Sequence, residues 1–198
     1  SSVSLTPGRA TVGKGGVRVD TEANPEGAGS PGSSIEMMRA QILDPLNIER
    51  AILSYGIGLE VYQYNPYLGA ACATALNDWS LERWLTGIDS RLYGALLVGS
   101  TLPEEAASEI RRVGGEPRIV EVLIVDGGLG PPFGHPIYHP IYEAAAEMRL
   151  PVAIHFGINH YGGLPVESAG GLANNGLDFY TLINQAGMHH VTSFISHG

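Results

Sequence analysis

The stretch Pro151-Val152-Ala153-Ile154-His155-Phe156-Gly157 decides the fold, because it predicts a short buried strand that ends in a histidine. Its apolar side chains fall on both faces, as in a parallel strand that is covered on both sides. In a barrel of parallel strands, residues at the carboxyl ends of the strands face the active-site mouth. His155 occupies that position, and neutral imidazole is a common ligand of divalent metals. A core histidine that bonds a backbone carbonyl is the structural alternative.

Three more apolar stretches predict strands, near residues 51–53, 92–98 and 119–125. Helical patterns separate them, and alternation of this kind indicates parallel strands joined by right-handed crossovers. The predicted class is therefore α/β. Two architectures remain open: a TIM (β/α)8 barrel, of which this chain would hold about four β/α units, or an open doubly wound sheet.

Local signals set the ends of the predicted helices. Ser33-Ser34-Ile35-Glu36 fits a capping box, and Asn65-Pro66 places a capping residue before a proline in the first helical position. Gly114-Gly115 ends a helix that starts near Thr101, and His139-Pro140 starts another. The helix after Asn65 is expected to bury one apolar stripe, formed by Leu68, Cys72, Ala75, Leu76 and Trp79.

Composition and charge exclude several classes of function. The formal net charge is −9 and Lys14 is the only lysine, which argues against a surface for nucleic acid or for anionic membranes. Cys72 is the only cysteine, so neither an internal disulfide nor a cysteine-based zinc cage is expected. The sequence has no apolar run long enough to span a bilayer and no signal-peptide core, which predicts a cytoplasmic protein.

Residues 1–33 are rich in glycine, serine and proline and are expected to form an irregular arm or loop. Gly13-Lys14-Gly15-Gly16 lacks the spacing of a phosphate loop and has no strand before it. The predicted domain boundaries are thus 1–33 for the arm and 34–198 for a partial (β/α) barrel.

The order and spacing of three segments resemble the amidohydrolase-related superfamily (amidohydrolase 2 type), in the branch similar to aminocarboxymuconate-semialdehyde decarboxylase. The first segment runs from Gly32 to Leu53. The second is Ala75-Leu76-Asn77-Asp78-Trp79 followed by Asp89-Ser90-Arg91-Leu92-Tyr93-Gly94. The third and most specific runs from Gly134-His135-Pro136 through Tyr142-Glu143 to Ile154-His155.

This resemblance implies a metal-dependent barrel enzyme, either a hydrolase or a non-oxidative decarboxylase, that acts on a small carboxylated or carbonyl-containing molecule. In that family a divalent ion, usually zinc, is held by a pair of residues on the first strand, a histidine ending the fifth and an aspartate ending the eighth. His155 matches the fifth-strand histidine. The first-strand pair is missing from this sequence, so the chain is expected to be an internal portion of a longer polypeptide or a truncated product. The resemblance also implies a homodimer.

For the other candidate residues, a functional and a structural role are both open. Asn159 and His160 follow the ligand strand and are candidates for substrate contact, or belong to a solvated glycine-rich loop. Asp126 lines the mouth or forms a turn. His135 and His139 are expected at a helix start rather than on a metal.

His197 is a weak catalytic candidate. Ser196-His197-Gly198 is similar to the S-H-G of the decarboxylases, where the histidine is catalytic. However, the apolar pattern from Asp178 to Phe194 predicts helix near residues 180–196, which would place His197 at a helix carboxyl end, away from His155. Two competing hypotheses for the whole chain are a non-catalytic doubly wound binding module and an inactive fragment of the enzyme.

Overall fold

The four predicted strands form one sheet. A computed structural model describes residues 34–55, 65–124, 128–129, 131–154, 188 and 191–196, and the backbone alone of residues 4–6, 10–12 and 18–20. The sheet has the order β4 (Ala51–Leu53), β5 (Leu92–Val98), β6 (Ile119–Ile124), β7 (Val152–Ile154). β6 pairs in parallel with both β5 and β7. This order has no reversal within the described strands, as in a barrel, and the fold is that of a partial TIM barrel, as predicted.

Three further strands lie in the segment for which the sequence predicts an arm or loop. They are β1 (Ser4–Thr6), β2 (Ala10–Val12) and β3 (Arg18–Asp20), and they form an antiparallel sheet in that order. By compactness the chain divides into one unit of residues 1–51 with 88–91 and another of residues 52–87 with 92–198. The domain boundary between residues 33 and 34 stays a prediction.

Helices alternate with the strands of the larger sheet. They are α1 (Ile35–Met38), α2 (Pro66–Ser80), α3 (Pro103–Val113), α4 (His139–Met148) and a helical segment at residues 191–196, named α5 here. Wider π-helical turns continue α1 over Arg39–Leu43 and α2 over Leu81–Leu85. Among the residues described, no helix is both long and apolar enough to cross a membrane.

The predicted helix starts are confirmed with one shift. Asn65 caps α2, where its Oδ1 accepts a hydrogen bond from the Leu68 amide at 3.0 Å. At α1 the capping residue is Ser34, one residue later than a Ser33–Glu36 capping box requires. The Ser34 hydroxyl accepts from the Met37 amide at 3.3 Å and donates to the Glu36 carboxylate at 2.8 Å.

The predicted buried face of α2 is wrong. Leu68 is 52% exposed and Trp79 is 49% exposed, whereas the buried residues of the helix are Gly69, Ala73 and Asn77. The small side chains at 69 and 73 let the helix lie close to the sheet, and Ala73 packs in one cluster with Leu97 of β5. Close approach and a polar contact to β5 therefore determine which face is buried, so Leu68 and Trp79 are left outside and Leu76 is only partly buried against the same cluster.

Candidate functional site

The candidate site lies at the edge of the sheet where the parallel strands β5, β6 and β7 end. Val98 pairs with Ile124, and Ile124 pairs with Ile154, so the last residues of the three strands lie at one level. Val98 and Ile124 are fully buried. In the chain His155 comes directly after Ile154, the end of β7, and it lies outside the described residues.

The other residues that the sequence proposes for chemistry also fall outside the described residues. They are Asp126, Asn159, His160 and His197. Their roles stay predictions, as does that of His155. Residues 191–196, directly before His197, are helical as predicted. Residues 192–196 therefore do not form a strand.

His135 and His139 belong to a helix start, as the sequence predicts. The Nδ1 atom of His135 accepts a hydrogen bond from the Ile137 amide at 3.2 Å and so caps the short 3-10 turn Pro136–Tyr138. His139 is exposed and is the first residue of α4. Within the described ranges, no group of three or more His, Cys, Asp or Glu side chains could hold a metal ion.

A buried polar side chain, Asn77, reaches β5 just before the candidate edge. Its Oδ1 accepts from the Leu97 amide at 2.9 Å, and its Nδ2 donates to the Leu97 carbonyl at 3.0 Å. The same Nδ2 also donates to Glu109 Oε1 at 2.8 Å. One carboxamide thus links α2, α3 and the carboxyl end of β5.

Glu109 is charged although little of its side chain is exposed. Burial by itself would raise its pKa, but hydrogen bonds from Arg112 and Asn77, with a weaker one from Thr74 at 3.3 Å, lower the pKa below its ordinary value. Arg112 also pairs with Asp78 of α2 at 2.8 Å. The anionic form of Glu109 is therefore the one that accepts from Asn77 near neutral pH.

A cleft of about 160 Å³ lies beside this network, between α2 and α3. It reaches the backbone at Gly99, directly after β5, and its rim carries Thr74, Glu105 and Arg112. Pockets for small ligands usually measure about 300–1,000 Å³. The cleft is too small for such a ligand, and Thr74 and Arg112 of its rim make bonds that hold the two helices together.

The segment between β6 and α4 is organised by two tyrosines. The hydroxyl of the buried Tyr138 accepts from the Leu129 amide at 2.8 Å and donates to the Pro131 carbonyl at 3.0 Å. Tyr142 donates to the Phe133 carbonyl, and burial raises the pKa of its phenol well above the usual range. Both hydroxyl groups act as structural hydrogen-bond donors at neutral pH.

Helix α5 packs against this segment. The buried Ser193 hydroxyl accepts from the Gly134 amide at 2.7 Å, and the rings of Phe194 and Tyr142 meet edge to face at 5.5 Å. Because Gly134 precedes α4 and Tyr142 lies in its first turns, α5 sits near the amino end of α4. In a parallel β/α fold, that end of a crossover helix is on the side of the strand carboxyl ends.

Sequence reasoning missed Asn77 and Glu109, since it treated the positions around Asn77 as one apolar stripe. A local signal was present: Asn77 follows Gly69 and Ala73 at intervals of four residues, so it extends a face of small side chains. The partner of Asn77, however, is the backbone of a strand twenty residues away, which no local pattern identifies.

Comparison with known proteins agrees with this architecture. One similar solved structure is 2,6-dihydroxybenzoate decarboxylase from Rhizobium, with a TM-score of 0.61, 20% identity and coverage of 83% of this chain and 53% of the other. A second is a protein from Staphylococcus aureus assigned as an amidohydrolase, with a TM-score of 0.59, 21% identity and coverage of 82% of this chain and 56% of the other. A third is 5-carboxyvanillate decarboxylase LigW from Sphingomonas paucimobilis, with a TM-score of 0.50, 22% identity and coverage of 62% of this chain and 36% of the other. No curated protein matches the chain significantly.

At these identities the likeness concerns the fold, and the chain spans only about a third to just over a half of each of these structures. The family assignment has a separate basis in the sequence itself. The model of the family described as Amidohydrolase matches residues 19–192, far more than half of the chain. The chain therefore belongs to the amidohydrolase family.

Proposed function

We propose that this chain is part of a metal-dependent amidohydrolase-family enzyme that acts on a small carboxylated or carbonyl-containing molecule. Both decarboxylation and hydrolysis fit this class. The names of two similar structures favour decarboxylation, because 5-carboxyvanillate and 2,6-dihydroxybenzoate are both carboxylated aromatic molecules. Aromatic carboxylates are therefore the first substrates to test.

The observation that carries the proposal is the position of β7 in the sheet. β7 is parallel to β6, and its last residue is level with the ends of β5 and β6. His155 is the next residue, and active sites of parallel barrels lie at this edge. The family match covers this strand as well.

In this proposal His155 is a metal ligand, and the remaining donors come from outside the described residues. A bound divalent ion would act as a Lewis acid on a substrate oxygen and lower the pKa of bound water to about 7. Asn159 and His160 contact the substrate, and His197 remains a weak candidate for acid–base catalysis. Zinc is the proposed ion, the proposed compartment is the cytoplasm, and the proposed assembly is a homodimer.

Metal analysis of the full-length protein tests the proposal. The wild type should contain a stoichiometric divalent ion and release CO2 from 2,6-dihydroxybenzoate or a related aromatic carboxylate. His155→Ala should lose metal and activity together, because it removes one ligand. His139→Ala is the matched control, since it removes an exposed histidine at a helix start and should keep both.

Two results would contradict the proposal. Unchanged metal content in His155→Ala would show that His155 is not a ligand. A wild-type protein that binds no divalent ion would remove the metalloenzyme hypothesis altogether. If the metal-loaded protein instead hydrolyses an ester or amide and releases no CO2, the proposed metal site stands, and the proposed reaction is hydrolysis rather than decarboxylation.

A further inference from the structure

The carboxyl end of β5 extends beyond its neighbour β4. The Arg91 carbonyl accepts from the Ala51 amide at 2.9 Å, which places Arg91 next to the start of β4. Since backbone groups of alternate residues in a strand point to the same side, the N–H and C=O of Leu97 point toward the β4 side as well. β4 ends at Leu53, before it reaches the level of Leu97.

At this level Asn77 takes the place that a neighbouring strand would occupy. A neighbouring strand would accept from the Leu97 amide and donate to the Leu97 carbonyl, and the Asn77 carboxamide makes both of these bonds. Asn77 is only 2% exposed, so water cannot replace it easily. An unsatisfied backbone group at such a buried position is unfavourable, which makes the side chain a required partner.

Glu109 fixes the orientation of this carboxamide. Its carboxylate accepts from Asn77 Nδ2 at 2.8 Å, so the nitrogen must point toward Glu109 and the oxygen toward the Leu97 amide. With the opposite orientation, Nδ2 would face the Leu97 N–H and the amide oxygen would face a carboxylate. Arg112 in turn holds Glu109 through its Nε at 2.7 Å.

Strand pairing connects Leu97 to β7, the strand that precedes His155 in the chain. Leu97 pairs with Leu123, and Leu123 pairs with Ala153, so the residue held by Asn77 lies in the same row as Ala153. Ala153 is the middle residue of β7, and His155 directly follows the last residue of β7 in the chain. Leu97, Leu123 and Ala153 also pack in one hydrophobic cluster with Ala73, one turn before Asn77 on α2.

We propose that Asn77 is a positioning residue for the metal site, because it fixes the carboxyl end of β5 and, through the row Leu97–Leu123–Ala153, the strand end that carries His155. Glu109 keeps the Asn77 carboxamide in its productive orientation. This inference rests on the proposed function of His155 as a metal ligand. It assigns a second task to the contact between α2 and α3, beyond holding two helices together.

The test compares variants of the full-length, metal-free protein in a Zn²⁺ titration, with hydrogen exchange of the Leu97 amide as a second readout. Asn77→Leu keeps the number and branching of the side-chain heavy atoms, although its methyl groups are bulkier, and it makes neither bond to Leu97. Asn77→Asp keeps the shape and the acceptor for the Leu97 amide, and it loses both donors. We expect Zn²⁺ binding about tenfold weaker in each variant, as for other residues that orient a metal ligand indirectly. Leu97 should exchange faster in Asn77→Leu.

Ala73→Gly is the matched control for a merely structural role. It lowers stability from the same face of the same helix, but it leaves the Asn77 hydrogen bonds in place. At a comparable loss of melting temperature, Ala73→Gly should retain wild-type Zn²⁺ affinity. Equal weakening in the glycine variant and in the Asn77 variants would overturn the positioning role.

The two proposals fail in different ways. If His155→Ala loses Zn²⁺ binding while both Asn77 variants bind as the wild type does, the positioning role is wrong and the metal site stands. If His155→Ala binds Zn²⁺ normally, the proposed metal site is wrong, and the role of Asn77 falls with it. If Asn77→Leu fails to fold, the Zn²⁺ affinity of the near-isosteric Asn77→Asp variant tests the positioning role.

Discussion

Gly134 is the residue at which one added methyl group has the clearest consequence. A Cβ at this position would lie 2.2 Å from the Ser193 carbonyl oxygen, far inside van der Waals contact. Gly134→Ala must therefore push α5 away and disturb the bond between the Gly134 amide and Ser193. We expect a loss of about 1–3 kcal/mol in unfolding free energy, the usual cost of overpacking, measured by urea denaturation.

Gly115→Ala is the matched control for this prediction. A Cβ at Gly115 meets no atom within 4 Å. Alanine should be neutral there, or stabilise the protein by up to about 1 kcal/mol by restricting the unfolded chain. A Gly134→Ala variant as stable as Gly115→Ala would show that the close contact between Gly134 and Ser193 does not form in solution.

Asn65 offers a second prediction at the residue scale. Its side chain satisfies the Leu68 amide in the first turn of α2. Asn65→Ala should destabilise the protein by about 1 kcal/mol in a denaturant titration, and Asn65→Asp should preserve most of the stability, because aspartate caps equally well. Indistinguishable midpoints for the alanine variant and the wild type would argue against the cap.

These residues show which contacts a sequence reveals. The Asn65 cap is local: donor and acceptor are three residues apart, and the following proline marks the helix start. The bond of Asn77 to Leu97 spans twenty residues and depends on where β4 ends, which is a property of the sheet. Periodicity therefore predicted α2 but assigned its buried face incorrectly.

At the scale of elements, the α1 region is joined to the turn before β5 by a network of charges. Asp89 is largely buried and accepts from Arg91 Nε at 2.9 Å and from Arg39 Nε at 2.7 Å. These bonds, first those of Arg91 and then that of Arg39, hold the pKa of Asp89 far below its ordinary value. The network fixes the turn before β5 through one largely buried, ionised carboxylate.

This network predicts acid sensitivity. Because the pKa of Asp89 is lower in the folded protein than in the unfolded chain, at about 3.9, its stabilising effect is fully present above the unfolded value. It decreases as the pH falls toward the folded value. Asp89→Asn should therefore be less stable than the wild type at pH 7, and the gap should narrow below about pH 4, as measured by denaturation at a series of pH values.

Asp44→Asn is the comparison for the acid test. Asp44 pairs with Arg91 at 2.8 Å, but its side chain is 62% exposed. Exposed ion pairs contribute little, so this variant should stay close to the wild type. A gap between Asp89→Asn and the wild type that is constant from pH 7 to pH 3 would contradict an ionised, hydrogen-bonded Asp89.

The packing of α3 depends on its buried face more than on its ion pairs. Arg111 pairs with Glu147 of α4 at 2.6 Å, yet both side chains are about half exposed. Ile110, the preceding residue, is fully buried. Ile110→Ala should cost about 2–5 kcal/mol in unfolding free energy, and Arg111→Ala less than about 1 kcal/mol, in the same denaturant titration. The reverse order would show that the ion pair dominates.

For the molecule as a whole, the sequence predicted the order and direction of the strands because each strand and helix carries its own local pattern. β5 matches its predicted residues 92–98 and β6 matches to within one residue. The candidate site was predicted through one residue, His155, since a single strand end is all that the local pattern marks. The polar contacts that join elements depend on tertiary arrangement and were not predictable.

The topology of the sheet predicts a ranking of local stability. β5 and β6 each have a strand on both sides, whereas β4 pairs only with β5 among the described strands, and Ile52 at its centre is 51% exposed. Amides open most readily where burial and pairing are least. In native-state hydrogen exchange, Leu96 and Val122 should therefore exchange most slowly, and amides of β4 markedly faster. The Leu97 amide should fall with the slow group although its partner is the Asn77 side chain. If Leu97 instead exchanges as fast as β4, then the Asn77 carboxamide does not complete the edge of β5.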